Sequence, residues 1–200
     1  KGSGWDMATI EAAGLPSVRL EPLRRLRSLD ELGDEDMVNF LRANLLDSSA
    51  PNPSVETLLH AFLPHKFVDH THANAILSLT NQPDGESICR DVYGERMGIV
   101  PYIMPGFDLA REAAKVYEAD TDVHGLIALK HGIFTFAETA KEAYERMLEA
   151  VSQAEDRLSN GRKRVFLQST FPENPIPVAN IAAVVRGACA IKDEVTGEPI

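Results

Sequence analysis

Short apolar segments alternate along this chain with longer amphipathic segments, and prolines or glycines stand between them. The apolar segments have the length and composition of strands, whereas the amphipathic segments repeat apolar residues with the period of an α-helix. The predicted strands are 67–71, 98–103, 125–130 and 165–168, and the predicted helices are 34–46, 54–63, 73–79, 108–118 and a long helix that begins at a Thr135–Glu138 capping box and ends near residue 158. This alternation predicts an α/β protein with a central sheet between two helical layers, a three-layer α/β/α arrangement.

The composition excludes several classes of partner. The chain has 200 residues and a formal charge of −10, which argues against a nucleic-acid or anionic-membrane surface, because both require a basic patch. It contains neither a run of about 18 apolar residues nor a signal-peptide pattern. The two cysteines, Cys89 and Cys189, form neither a disulfide framework nor a cysteine zinc motif. We therefore expect a cytoplasmic protein that binds neither nucleic acid nor a membrane.

Three histidines occur at the ends of predicted strands. His70 and His72 form a His-x-His pattern, and the alternation of side chains along a strand puts both rings on one face. His131 follows another apolar strand and precedes Gly132. Three imidazoles from two strand ends predict a catalytic zinc site with one coordination position open to substrate or water. Taken alone, each of these histidines is equally typical of a hydrogen-bonded core residue or a solvated one.

Polar residues elsewhere add a candidate acid/base and a candidate phosphate site. Glu56 lies in the first turn of a predicted helix, where it is either a glutamate that favours the helix dipole or a carboxylate that exchanges a proton beside the metal. Ser3, Gly4 and Ser54 could bind phosphate through N–H and hydroxyl groups, although Gly-Ser-Gly is also typical of a flexible loop. The spacing of His60, His65 and His124 indicates no site, and we expect them on helix surfaces or in loops.

Four motifs together resemble those of the class II aldolase/adducin family. They are Pro53-Ser54-Val55-Glu56, His70-Thr71-His72 followed by Ala73-Asn74-Ala75, Pro101-Tyr102 with Pro105-Gly106, and Leu129-Lys130-His131-Gly132. They fall in family order and are specific only as a set. The details look closest to the aldolase part of bifunctional rhamnulose-1-phosphate aldolase/alcohol dehydrogenase proteins.

The resemblance implies a domain over residues 1–160 with a mixed, mainly antiparallel sheet, and a C-terminal extension or linker over 161–200 that packs on the domain or leads out of it. It implies that His70, His72 and His131 bind Zn²⁺ or another divalent metal. Glu56 would be the proton shuttle and a possible further metal ligand, and Ser3, Gly4 and Ser54 would bind the substrate phosphate. It also implies a ring-shaped homotetramer with sites at subunit interfaces.

The implied activity is that of a zinc-dependent class II aldolase, a lyase of carbohydrate metabolism. It would cleave a ketose 1-phosphate such as rhamnulose 1-phosphate to dihydroxyacetone phosphate and an aldehyde, through a metal-stabilised enediolate. The alternatives are a 4-epimerase, dehydratase or decarboxylase of the same fold, or a non-catalytic adducin-like interaction module. Lys1 stands where an initiator methionine would, and the family's upstream Gly-Asn phosphate loop is absent. We therefore expect the sequence to be an excerpt of a longer polypeptide.

Overall fold

A four-stranded sheet forms the centre of the chain in a computed structural model, which describes residues 1–160, 177, 180–182 and 185. Its strands are β1 Phe67–Thr71, β2 Met97–Val100, β3 Gly125–Ala128 and β4 Gly132–Ala137. They lie in the order β1-β4-β3-β2. The β1–β4 and β3–β4 pairs are antiparallel, and the β2–β3 pair is parallel. This arrangement confirms the predicted mixed, mainly antiparallel sheet.

Seven α-helices in the described residues cover the two faces of this sheet. They are α1 Leu20–Arg25, α2 Asp34–Ala43, α3 Thr57–Phe62, α4 Asn74–Thr80, α5 Gly85–Tyr93, α6 Phe107–Ala119 and α7 Ala140–Ser159. Helices α1, α2, α3 and α6 contribute to one hydrophobic core, and α4, α5 and α7 contribute to the other. The predicted three-layer α/β/α arrangement is therefore confirmed.

Successive side chains of the central strands belong alternately to the two cores. Leu126 and Phe134 lie in the first core, whereas their neighbours Ile127 and Ile133 lie in the second. Every residue of β3 and β4 is buried. Because both faces of these strands are covered, polar residues cannot occupy them without a partner, and functional groups are confined to the strand ends.

The predicted start of the longest helix was wrong. Thr135 lies in β4, where it is fully buried and its Oγ1 donates a hydrogen bond to the Ala143 carbonyl at 2.9 Å. The cap of α7 is Thr139, whose side chain accepts a hydrogen bond from the Glu142 N–H at 3.2 Å. The segment before it is rich in β-branched and aromatic residues and pairs with strands on both sides, which favours a strand over a helix.

The helix predicted over 54–63 begins later. Residues 54–56 form a turn in which the Thr57 N–H donates to the Ser54 carbonyl at 3.0 Å, and α3 starts at Thr57. Pro53 does not open the helix; it forms an isolated antiparallel bridge with Gly2. Glu56 therefore occupies the N-cap position of α3, outside the helix proper, and its side chain makes no capping hydrogen bond.

The chain divides into two compact units, Lys1–Gly161 and Arg162–Ile200. Within the second unit, residues 180–182 and 185 are helical and exposed, and the strand predicted over 165–168 lies outside the described residues. The domain boundary at residue 160 and the role of 161–200 stay predictions. In the described part of the chain, no helix is long and apolar enough to cross a membrane.

Candidate metal centre

The three predicted histidines meet at one end of the sheet. His70 lies in β1, and His72 follows one residue after that strand ends. Because β1 and β4 are antiparallel, with Thr71 opposite Ile133, the end of β1 lies beside the start of β4. His131 stands immediately before β4. The pairing of these two strands therefore brings together rings that are distant in sequence.

A tight turn between β3 and β4 positions His131. The His131 N–H donates to the Ala128 carbonyl at 3.1 Å, and Lys130 within the turn has a positive φ of 59°. The next residue, Gly132, lies so close to β1 that a Cβ there would overlap the Thr71 carbonyl oxygen and lie 3.0 Å from His72 Cδ2. A glycine at this position is what lets the turn approach the His-x-His segment.

Glu56 completes a cluster of four side chains. Its Oε1 lies 2.8 Å from His131 Nε2, 3.2 Å from His70 Nε2 and 3.3 Å from His72 Nε2. The four ligand atoms all lie within 4.8 Å of one another. Ligands of a tetrahedral zinc with bonds of about 2.0–2.1 Å are roughly 3.3 Å apart, so these separations suit one divalent ion.

The hydrogen bonds of His70 also favour a cation at this point. Its Nδ1 lies 2.9 Å from the Ile133 carbonyl oxygen; a carbonyl only accepts, so Nδ1 carries a proton. In a neutral ring Nε2 then presents a lone pair towards the Glu56 carboxylate, which is also an acceptor. Two acceptors at this distance require a proton or a metal ion between them. The ring is held by stacking on Phe134, with centroids 3.9 Å apart.

The centre is closed on one side and open on the other. The His131 side chain is 5% exposed and that of His72 is 55% exposed. His131 Nδ1 is buried without a hydrogen-bond partner among the described residues. A ligand would therefore reach the cluster from the side of His72.

The electrostatics favour the ligating forms of the side chains. Partial burial raises the pKa of Glu56, but hydrogen bonds from His131 and His70 outweigh it and hold the pKa of this carboxyl well below its ordinary value. Burial and the proximity of His70 lower the pKa of His72. At neutral pH Glu56 is thus a carboxylate and His72 a neutral imidazole, the forms in which these two side chains bind metal ions.

A cleft of about 890 Å³ lies in front of the cluster, and its walls include Ser54, Glu56, His70 and His72. Ser3 and Gly4 are not among its lining residues. The Ser3 N–H instead donates to the Asn52 carbonyl at 2.8 Å, and Gly4 has a φ of 81°. Of the residues predicted to bind phosphate, the structure brings only Ser54 directly to the cleft.

Two lining residues were missed by the sequence prediction. Lys1 lines the cleft and brings a positive charge to it, while its Nζ donates to the Trp5 carbonyl at 2.9 Å. The sequence feature that could have indicated Lys1 is its position directly before Gly2-Ser3-Gly4. His60 is exposed on helix α3, as expected, and also lines the cleft, which was not predicted. The sequence signal was its position four residues after Glu56.

The chain is similar to several known proteins. The uncharacterized oxidoreductase YuxG of Bacillus subtilis (strain 168) is 37% identical over 197 residues, and the match covers 94% of this chain but only 28% of that protein. The N-terminal class II aldolase domain of a conserved protein from Thermoplasma acidophilum is 40% identical, with a TM-score of 0.72 over 79% of this chain and 73% of that one. YgbL from Klebsiella pneumoniae shares only the fold, at 18% identity and a TM-score of 0.53, over 82% of this chain and 74% of that one.

The sequence profile of the class II aldolase and adducin N-terminal domain matches residues 1–158. This match spans the central sheet, α7 and all four side chains of the cluster. The chain therefore belongs to the class II aldolase and adducin N-terminal domain family.

Proposed function

We propose that this domain is a metal-dependent aldolase that cleaves a ketose 1-phosphate, such as rhamnulose 1-phosphate, to dihydroxyacetone phosphate and an aldehyde. The observation that carries the proposal is the convergence of three imidazole nitrogens on Glu56 Oε1 at 2.8–3.3 Å. His70, His72 and His131 would be the metal ligands. Glu56 would be the acid/base and, in the absence of substrate, a further ligand.

Zn²⁺ is the proposed ion, because three imidazoles with an open position suit zinc and are poor ligands for Mg²⁺. A bound divalent ion would act as a Lewis acid for the negative charge that develops as the carbon–carbon bond breaks. The exposed side of His72 would give the substrate access to the ion.

Glu56 would handle the proton of the reaction. Cleavage moves one proton from the hydroxyl of the departing aldehyde carbon to the carbon that remains in dihydroxyacetone phosphate, and Glu56 would deliver it to that carbon. In the condensation direction it would remove the same proton. Substrate that separates Glu56 from His131 would remove the hydrogen bond that now lowers the pKa of this carboxyl, and so would make it a better proton carrier.

The cleft supports a phosphorylated substrate. Lys1 supplies a positive charge and Ser54 a hydroxyl group within the same cleft as Glu56. Ser3 and Gly4 belong to a segment that pairs with the 52–53 region, and we propose that they also contact the phosphate. A ring-shaped homotetramer and a cytoplasmic location are proposed from the family resemblance and the composition.

The test combines metal analysis with a panel of ketose and pentulose phosphates. We expect about one equivalent of zinc per chain and release of dihydroxyacetone phosphate from a ketose 1-phosphate. Epimerised or dehydrated products would identify one of the alternative enzymes. A metal-free protein that alters none of these sugars would contradict the proposal and favour an adducin-like interaction module.

A further inference from the structure

We propose that His60 accepts a hydrogen bond from a hydroxyl group of the sugar, so that it contributes to the affinity of the cleft for the carbon chain of the substrate and not for its phosphate. This inference rests on the proposed function, because it assumes a phosphorylated sugar in the cleft. His60 is not one of the four clustered side chains that could hold a metal ion. It lies four residues after Glu56, at the opposite end of one helical turn, and the two residues share one side of α3.

The ring of His60 is fixed relative to the metal centre by one aromatic neighbour. Phe134 meets His60 edge-on, with centroids 6.2 Å apart and an interplanar angle of 70°. The same Phe134 ring stacks flat on His70. Because Phe134 is itself buried in the core, it contacts both histidine rings from a fixed position. Phe134 therefore supports the His60 ring on one side before any ligand enters the cleft.

His60 combines access to the cleft with a neutral charge state. Its side chain is reached by solvent through the cleft, although it is surrounded by many protein atoms. Burial, and then the proximity of His70, lower the pKa of His60, and the Val68 backbone and Glu56 only partly oppose this. The hydrogen bond to the Val68 backbone uses the N–H of the neutral ring, and its other nitrogen remains an acceptor, which complements the O–H of a hydroxyl group. A phosphate is served better by a cation, such as the ammonium of Lys1 in the same cleft.

The test measures binding to the zinc-loaded full chain by calorimetry, with dihydroxyacetone phosphate and inorganic phosphate as separate probes. We expect His60→Ala to weaken binding of dihydroxyacetone phosphate by about tenfold, the effect of one lost hydrogen bond in a desolvated site. Binding of inorganic phosphate and zinc content should stay at the wild-type level. His60→Gln, which retains a donor and an acceptor, should recover part of the affinity. The control is His124→Ala. His124 stands before the start of β3, whereas His131 follows the end of the same strand, so the two histidines lie at opposite ends of β3.

Kinetics give a second readout. In His60→Ala the KM for the ketose 1-phosphate should rise by about tenfold while kcat changes by less than about threefold, since the group binds ground state and transition state alike. Equal affinity for dihydroxyacetone phosphate in His60→Ala and wild type would overturn the inference, as would loss of zinc from the variant or no binding of this probe by the wild type. A different result would contradict the proposed function: wild-type protein that binds dihydroxyacetone phosphate but releases none of it from any sugar of the panel.

Discussion

Glu56 Oε1 lies 2.8 Å from His131 Nε2, although 75 residues separate the two along the chain. Glu56 stands at the start of α3 in one helical layer, and His131 lies in the turn between β3 and β4. Their contact therefore depends on how this layer packs on the sheet. The candidate metal centre is assembled by tertiary structure, so a measurement of metal binding would report on the packing of both elements.

Replacing a proposed ligand should release the metal. In His131→Ala or His70→Ala we expect zinc affinity to fall by at least about 100-fold, because even the outer hydrogen-bond partners of metal ligands contribute about 10–100-fold. Elemental analysis after dialysis measures the bound zinc, and His124→Ala serves as the histidine control. Full zinc occupancy in His131→Ala would remove this residue from the proposed site.

Replacing Glu56 should separate metal binding from turnover. Glu56→Gln leaves the three imidazoles in place, so zinc should be retained, but the amide cannot carry a proton at neutral pH. We expect kcat for cleavage of the ketose 1-phosphate to fall by about 10²–10⁴-fold, the usual contribution of a general acid/base.

The control for Glu56→Gln is Glu138→Gln, because Glu138 is exposed and its carboxylate lies 3.7 Å from His65, which is not one of the proposed ligands. Its turnover should match that of the wild type. Cleavage at the wild-type rate by Glu56→Gln itself would show that another group handles the proton.

A methyl group at Gly132 should disturb the candidate metal centre without replacing any of its ligand side chains. Its Cβ would overlap the Thr71 carbonyl and crowd His72 and His70, so β1 and β4 must separate. We expect Gly132→Ala to lower the free energy of unfolding by about 1–3 kcal/mol and to weaken zinc binding. Chemical denaturation and a zinc titration measure the two effects.

Gly33→Ala provides the matched control. Nothing lies within 4 Å of a Cβ at Gly33, and its φ of −67° is open to any residue. Because Gly33 is the N-cap residue of α2, where alanine is less favourable than glycine, the free energy of unfolding of Gly33→Ala should fall by at most about 1 kcal/mol, and zinc binding should stay at the wild-type level. If Gly132→Ala were as stable and bound zinc as tightly as this control, the close approach of the turn to β1 would not be required.

The layers and the three clustered histidines could be predicted from sequence because each depends on a local pattern, whereas the contact of Glu56 with them depends on how α3 packs on the sheet. His-x-His at a strand end and His131 before a glycine are visible in a few residues. The start of α7 was missed because Thr135–Glu138 and Thr139–Glu142 both have the spacing of a capping box. The choice between them depends on β4, whose residues are buried on both faces and so lack the alternation of an amphipathic strand.

The cleft could not be predicted, because its walls come from distant segments. Lys1 precedes the segment that pairs with Pro53, and His60 faces the cleft only because α3 packs beside Phe134. The start of α3 depends likewise on the hydrogen bonds of the Ser54 turn. These long-range contacts produce no periodic pattern in the sequence from which they could be predicted.

Cys89 should be inert while the protein is folded. Burial raises the pKa of its thiol to about 11, so at pH 8 about one molecule in a thousand carries the reactive thiolate. In a Cys189→Ser background, alkylation by iodoacetamide should be very slow in buffer and fast in denaturant, as measured by mass spectrometry. Rapid alkylation of the native protein would contradict the buried position of Cys89 in the core.

The same shift gives a pH dependence of stability. The pKa of the Cys89 thiol is higher in the folded protein than its ordinary value of 9.0, so the unfolded chain loses its proton first as pH rises. This contribution to stability is complete below about pH 9 and declines as pH rises towards 11. Cys89→Ala should reduce that alkaline decline relative to the parent, as measured by denaturation at pH 8 and pH 10.5.

Removing the metal should lower thermal stability. An ion that binds only the folded state at 100 times its Kd adds about 2.7 kcal/mol, which for a chain of this size corresponds to a fall in Tm of about 5–10 °C on chelation. Zinc should restore the Tm more effectively than magnesium, because imidazoles bind zinc in preference to magnesium. His131→Ala should show little response to either treatment. A chelator effect of equal size in wild type and His131→Ala would mean that the stabilising ion binds elsewhere, and that Glu56, His70, His72 and His131 are not its site.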